Sequence, residues 1–236
     1  MTRRRWIADE HSADTAALTG AHAAHLARVL RARVGQQFDI VAGDVVRHGT
    51  ISTVSPDRIE FSLAEVIDVE TSSDISMLLA IFKFDRFEWA IEKCTELGVS
   101  KIFPVVARRT DAHLAQAAQK RVERWRRIAL EASQQSRRTS PPEIADPMKL
   151  KEVVTLAFTT KVLLAENEKK FVLRDLFGDE IELPLVLAVG PEGGWSDEEV
   201  QLFESNGWRS ASLGDTILRA ETAAIASLAA AKTMLI

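Results

Sequence analysis

The sequence predicts an α/β fold on a mostly parallel sheet, preceded by a small β-barrel of about 70 residues. Three observations predict it. Short β-branched runs separated by turn residues fill the first third of the chain. From Ile75 onward, strand, helix and strand patterns alternate, which requires parallel pairing. Late in the chain, two buried runs each feed a glycine turn and then a helix, which sets both turns on one edge of a sheet, where open α/β sheets bind ligands.

The barrel comes first. Residues 3–8 (RRRWIA) suit an edge strand, and His25 to Arg31 predicts a short helix with Leu26, Val29 and Leu30 on one face. Val34-Gly35 turns the chain. Phe38 to Val69 is a series of strands, with Gly43-Asp44 and Ser55-Pro56-Asp57 as its turns. The polar run Glu70 to Asp74 marks a boundary, giving domains of residues 1–72 and 73–236.

In the second domain Ile75 to Phe82 is a buried strand. Asp85 is positioned to cap the next helix, with Glu88 at the capping-box position. Phe87, Ile91, Cys94 and Leu97 recur at helical spacing, Gly98 ends the helix, and Val99 to Val106 is the next strand. A long helix is predicted from about Ala115 to Ser136, burying Ala118, Val122, Trp125, Ala129 and Ala132. Lys120, Arg124 and Arg127 share its opposite face, which suits either solvent or a phosphate backbone. Residues 161–165 form a strand, Lys169 to Phe177 a helix, and Leu185 to Val189 the last central strand.

Composition narrows the function classes. The chain has 236 residues, 46% of them apolar, and no apolar run reaches the ~20 residues that span a bilayer. The N-terminus is charged and lacks a signal-peptide core. Cys94 is the sole cysteine, so neither an intrachain disulfide nor a cysteine metal cluster is expected, and it reads as core packing. These features fit a cytosolic protein without a metal. The net charge is −4, but it is unevenly spread. Residues 101–140 carry ten Lys/Arg against three Asp/Glu, and residues 1–35 carry six Arg against three acids, whereas residues 36–73 are acidic.

Motifs exclude more. There is no GxGxxG, no P-loop and no GxSxG. Instead Leu185–Val189 runs into Gly190-Pro191-Glu192-Gly193-Gly194, and Ser196 opens a helix with Glu199 in the capping-box position. Asn206-Gly207 stops that helix. A short strand reaches Leu213-Gly214-Asp215, and an Ala-rich helix follows Arg219. Such turns also serve in ordinary β-α connections. The acids at 197–199 suit the helix dipole but oppose a phosphate, and they are compatible with a cationic sulfonium ligand.

GPEGGWSDEE followed by LGDTILRAETA resembles the paired signature of the SPOUT-class methyltransferases, and most closely the small-subunit rRNA uridine-N3 methyltransferases (RsmE). The likeness extends to FDRFEWAIEKCTELGVSKIFPV, RWRRIALEASQQSRRTSPPEI and HLARVLRARVGQ, and so covers nearly the whole chain. It implies a C-terminal α/β knot, a deep trefoil knot holding S-adenosylmethionine, and an N-terminal PUA-like RNA-binding domain. It also implies methylation of N3 of a uridine in 16S rRNA, at position 1498, by a homodimer acting on the small ribosomal subunit. A non-catalytic RNA- or ribosome-binding factor on the same fold is the alternative.

Carried over by motif, the methyl donor is expected at Leu164, Glu166, Val189, Gly190, Pro191, Glu192, Gly193, Leu213, Gly214, Ile217, Leu218 and Thr222. For catalysis the candidates are Arg219 and Arg138 as fixed cations for the uracil oxygens, with Arg86 behind them, and Glu221 or Glu131 to accept the proton or orient an arginine. Glu221 also suits plain compensation of a helix N-terminus. RNA contacts are expected from Arg3, Arg4, Arg28, Arg31, Lys120, Arg124, Arg127 and Arg137. The Ala-rich last helix, apolar almost all round, predicts burial of more than one face.

Overall fold

The structure is a computed structural model that describes residues 5–43, 45–67, 74–177 and 181–235. Arg3, Arg4, Asp44 and the expected boundary at 72/73 lie outside the described residues. The chain divides into two compact units, Met1–Thr71 with Ser133–Pro141, and Ser72–Ala132 with Pro142–Ile236.

The first unit contains β1 (Arg5–Ile7), β2 (Glu10–His11), β3 (Thr15–Thr19), α1 (Gly20–Ala24), β4 (Gln37–Ala42), β5 (Val45–Val54) and β6 (Arg58–Ile67). They form one sheet in the order β1-β4-β5-β6-β3-β2, with only the β1–β4 pair parallel. Among the described residues β1 and β2 do not pair with each other, but they are joined through Ala8 and Asp9, whose amides donate to the Val41 carbonyl of β4 at 2.9 Å and the Ala17 carbonyl of β3 at 3.0 Å. Trp6, Leu18, Leu26, Ile40, Ile51 and Phe61 fill its inner side. Gly49 is required here, because a Cβ would lie 2.4 Å from Ile40 Cγ1. The segment after the long helix belongs to this unit: Arg5 Nη1 donates to the Arg137 carbonyl, and Arg137 sits at φ +62°.

One expectation fails in this unit. Residues His25–Val29 make a π-turn rather than an α-helix. Its wider spacing rotates the face, so only Leu26 is buried, while Val29 is 65% and Leu30 39% exposed.

The second unit runs through β7 (Ile75–Ala80), α2 (Phe84–Glu96), β8 (Lys101–Val106), α3 (Ala112–Ala117), α4 (Val122–Gln135), β9 (Glu143–Ile144) and β10 (Met148–Lys149). It continues with α5 (Leu150–Val153), β11 (Thr160–Leu164), α6 (Leu173–Phe177), β12 (Leu185–Val189), α7 (Asp197–Ser205), β13 (Arg209–Ala211) and α8 (Ala220–Thr233). The sheet order is β10-β8-β7-β12-β11-β13, with β9 beside β8, and every pairing is parallel. Because side chains alternate across a strand, Met77 and Leu79 enter one core with Phe87, Trp125 and Leu228, whereas Leu78 and Ala80 enter another with Phe203 and Trp208. Both faces are thereby covered, as a parallel sheet requires.

Three local expectations are corrected. The long helix is broken: α3, capped by Asp111, passes through a 3₁₀ turn at Ala118–Arg121 into α4. Its expected stripe of Ala118, Val122, Trp125, Ala129 and Ala132 is nonetheless buried. Lys83 holds the N-cap of α2, with Asp85 inside its first turn, and Glu88 accepts from Arg124 instead of capping. The helix expected from Lys169 begins only at Leu173, because Glu168 Oε1 accepts the amides of Lys170 and Phe171 in a turn.

Candidate active site

In sheet order β12, β11 and β13 are neighbours, and their carboxyl ends open together. The loops that leave them line a cleft of about 610 Å³, within the size range of small-molecule sites. Next to β12 lies β7, and the chain leaving it brings Arg86 of α2 to the same cleft. The strand order reverses between β7 and β12, which is where a parallel sheet leaves a crevice between helices on opposite faces.

The turn after β12 is shaped by its glycines and by Trp195. A Cβ on Gly190 would lie 3.2 Å from Trp195 Nε1, so glycine lets the strand end lie against the indole. Trp195 packs edge-on against Phe203, and Phe203 against Trp208, both at 4.9 Å between ring centres. Gly194 adopts φ +69°, a conformation that favours glycine. The capping box forms as expected: Ser196 N donates to Glu199 Oε2 at 2.9 Å, and Glu199 N donates to Ser196 Oγ at 3.4 Å. Glu199 also does what its motif does not announce. Its Oε1 accepts the Arg108 amide at 2.7 Å.

The expected donor residues Leu164, Glu166, Val189, Gly190, Pro191, Glu192, Leu213, Gly214, Ile217 and Leu218 line the cleft, together with Arg219. Gly193 and Thr222 are not on the lining; a Cβ on Gly193 would meet Arg109 Cδ at 3.3 Å. Glu221 is 4% exposed and sits behind the wall, its Oε1 3.8 Å from Arg86 Nε. It thus touches the cleft through a cationic residue that does line it. Arg138 belongs to the other compact unit, where burial pushes its guanidinium down to about 10 and Nε donates to the Ser140 carbonyl at 3.1 Å.

Charge gives the cleft its character. Glu166, Glu168, Glu192, Asp197, Glu204 and Asp215 line it against Arg86 and Arg219. Such a wall favours a cation and disfavours a phosphate chain. The basic residues set aside for RNA lie elsewhere. Lys120 is exposed, Arg124 pairs with Glu88 at 2.8 Å, and Arg127 lies 3.9 Å from Glu131. In the first unit Arg28 and Arg31 are exposed and Arg137 is half-buried.

Sequence reasoning missed Trp195, Asn167 and Gln201 on the lining and Arg109 beside it. No periodicity marks them. The usable signal for Arg109 was position: Arg108-Arg109 directly follow a buried strand, on the same carboxyl edge as the glycine turns.

Comparison with known proteins agrees with this geometry. Residues 69–232 match the family described as RNA methyltransferase domain. The ribosomal RNA small subunit methyltransferase E of Synechocystis sp. is 31% identical, over the whole of this chain and 78% of the relative.

The chain belongs to the ribosomal RNA small subunit methyltransferase E family.

Two solved structures are similar along almost their full length. The Neisseria gonorrhoeae methyltransferase E, bound to S-adenosyl methionine, superposes with a TM-score of 0.87 at 27% identity, covering 99% of this chain and 98% of that one. A methyltransferase structure from Legionella pneumophila, in complex with the same cofactor, gives 0.88 at 29% identity and the same coverage. The family membership accounts for the α/β architecture of the second unit.

Proposed function

We propose that this protein transfers a methyl group from S-adenosylmethionine to N3 of a uridine in 16S rRNA, the one at position 1498. The observation that carries the proposal is the acidic, glycine-walled cleft at the carboxyl ends of three adjacent parallel strands. Its residues fit the donor. The carboxylates suit a sulfonium, and Leu213, Ile217 and Leu218 offer apolar surface and backbone amides to a planar base. The donor, when bound, supplies an electrophilic methyl carbon on a positively charged sulfur.

The chain's own residues supply orientation and charge. Holding uridine N3 in line with the methyl removes most of the entropy cost of a two-substrate reaction. N3 must lose its proton, to water, before it can accept a methyl, and the negative charge left on the ring is shared by the uracil carbonyls. Arg86 and Arg219 both line the cleft, which supports them as the cations that offset it. Glu221 holds Arg86 from behind, and this supports a positioning role better than a base at the reacting atom.

The same proposal includes a homodimer in the cytoplasm, a knotted C-terminal domain beginning at residue 73, and RNA contacts from the basic residues named above. In α8, Ala223, Ile225, Ala226, Ala229 and Ala230 are only half-buried, and Ile217 on the cleft is 80% exposed. These leave apolar surface for a second copy. The deciding experiment incubates the protein with methyl-labelled donor and 16S rRNA, then maps the modified nucleotide. Label at N3 of one uridine supports the proposal; an unlabelled RNA that still binds would point to a non-catalytic binding factor.

A further inference from the structure

Arg109 sits in the short loop between β8 and α3, outside the cleft lining, yet it touches the cleft's central turn from behind. Its Nη1 donates to the Gly193 carbonyl at 2.5 Å and to the Trp195 carbonyl at 3.2 Å. Its aliphatic stem packs against Gly193, where an added Cβ would lie 3.3 Å from Arg109 Cδ. The loop that carries it is itself fixed. Thr110 Oγ1 donates to the Ile81 carbonyl at the end of β7 and accepts from Ala107 N, both at 3.1 Å. Asp111 caps α3, and the Arg108 amide reaches Glu199. Earlier in the turn, Glu192 Oε1 accepts the Lys83 amide at 3.3 Å.

The turn is therefore held by two other segments, by the Lys83 amide after β7, which neighbours β12, and by Arg109 after β8, one strand further along the sheet. Gly190, Pro191 and Glu192 form the cleft wall, and the Gly193 and Trp195 carbonyls are the turn's other end. Gly194 N bonds back to the Pro191 carbonyl at 2.8 Å, so the two ends move together. Without a donor on those two carbonyls, this glycine-rich turn has more conformations to lose when a ligand binds.

We infer that Arg109 is a positioning residue that pre-orders the Gly190–Gly194 turn for the methyl donor. A planar guanidinium can bridge two carbonyls, whereas an ammonium is a single point donor. The inference rests on the cleft being the donor site. The test uses the full chain and its Arg109→Met and Arg109→Lys variants. Methionine keeps the packing on Gly193 and removes the donors; lysine restores one.

Three readouts are taken without RNA: calorimetric affinity for S-adenosylhomocysteine, backbone amide exchange at residues 190–195, and the melting temperature. Arg109→Met should weaken affinity by about five- to tenfold, the scale of one net hydrogen bond's worth of ordering. Exchange at Gly194 should quicken, and the melting temperature should move by no more than about 3 °C. Arg109→Lys should recover part of both losses. With RNA present, the donor KM should rise more than kcat falls. Affinity within twofold of the parent, or unchanged exchange in the turn, overturns the inference, as does a loss of affinity matched by broad destabilisation. If the parent chain itself binds no S-adenosylhomocysteine, the donor-site assignment fails and this inference falls with it, a result distinct from failure in the variants alone.

Discussion

Removing the Glu199 carboxylate tests whether the wall of the cleft is held as described. Glu199 is 8% exposed and accepts two backbone amides, from Ser196 at 2.9 Å and Arg108 at 2.7 Å. A hydrogen bond to a charged group contributes about 1.5–3 kcal/mol. Glu199→Ala deletes both, and with them a favourable charge in the first turn of α7. Some water will reach the freed amides, so we expect a net loss of about 2–4 kcal/mol. At about 2–4 °C per kcal/mol for a domain of this size, the melting temperature should fall by roughly 5–15 °C. Glu199→Gln, which keeps one acceptor, should fall in between. Ser196→Ala removes only a 3.4 Å bond and should cost about 1 kcal/mol or less. The expected order thus reverses the usual emphasis on the capping residue, because tertiary structure gives Glu199 a second partner. Thermal and urea unfolding of the three variants measure it. A Glu199→Ala protein melting within about 1 °C of the parent, or one more stable than Ser196→Ala, would refute the reasoning.

Further outcomes are expected elsewhere. Arg86→Gln should lower kcat for methyl transfer by about 10²-fold, the scale of losing one transition-state donor, with donor affinity nearly unchanged; unaltered turnover would remove Arg86 from the chemistry. Neutralising Arg124 and Arg127 together should flatten the log–log salt dependence of RNA binding by about one unit, since Glu88 already holds Arg124; an unchanged slope would mark that face as merely solvated. Burial pushes the Cys94 thiol up to about 12, so an aromatic disulfide reagent at pH 8 should react about 100-fold faster with urea-unfolded than with native protein. The raised folded-state value also fixes the sign of linkage. Stability from keeping this thiol neutral is present below its unfolded pKa of about 8.5 and is lost as pH climbs toward about 12, which a stability–pH series with Cys94→Ala as control would reveal. Light scattering at micromolar concentration should give about twice the 26.1 kDa chain mass; a monomer with donor bound and full activity would end the dimer proposal.

The sequence by itself determined what depends on neighbours along the chain. Buried runs such as Leu185–Val189 had to be parallel strands, because their side chains are apolar on both faces. Gly98 and Gly207 had to end helices, and both adopt positive φ. Ser196 and Glu199 spelled their capping box three residues apart. The cleft's two main turns were legible for the same reason: each is a contiguous glycine motif after a strand. Local rules failed elsewhere. Glu88 misses the capping-box position because α2 starts at Phe84, two residues earlier than Asp85 suggested, and it pairs instead with Arg124 from another helix. Val29 and Leu30 had the right spacing for a helix face, but the chain opens into a π-turn that buries Leu26 alone. Only tertiary structure set Glu221 behind Arg86 and joined Arg109 to carbonyls 84 and 86 residues away. The strand order places β8 and β12 on either side of β7, so loops remote in sequence meet at one edge. Which carboxylate or guanidinium finds which partner is settled by that crossing, since charge pairing acts through space and leaves no period in the chain.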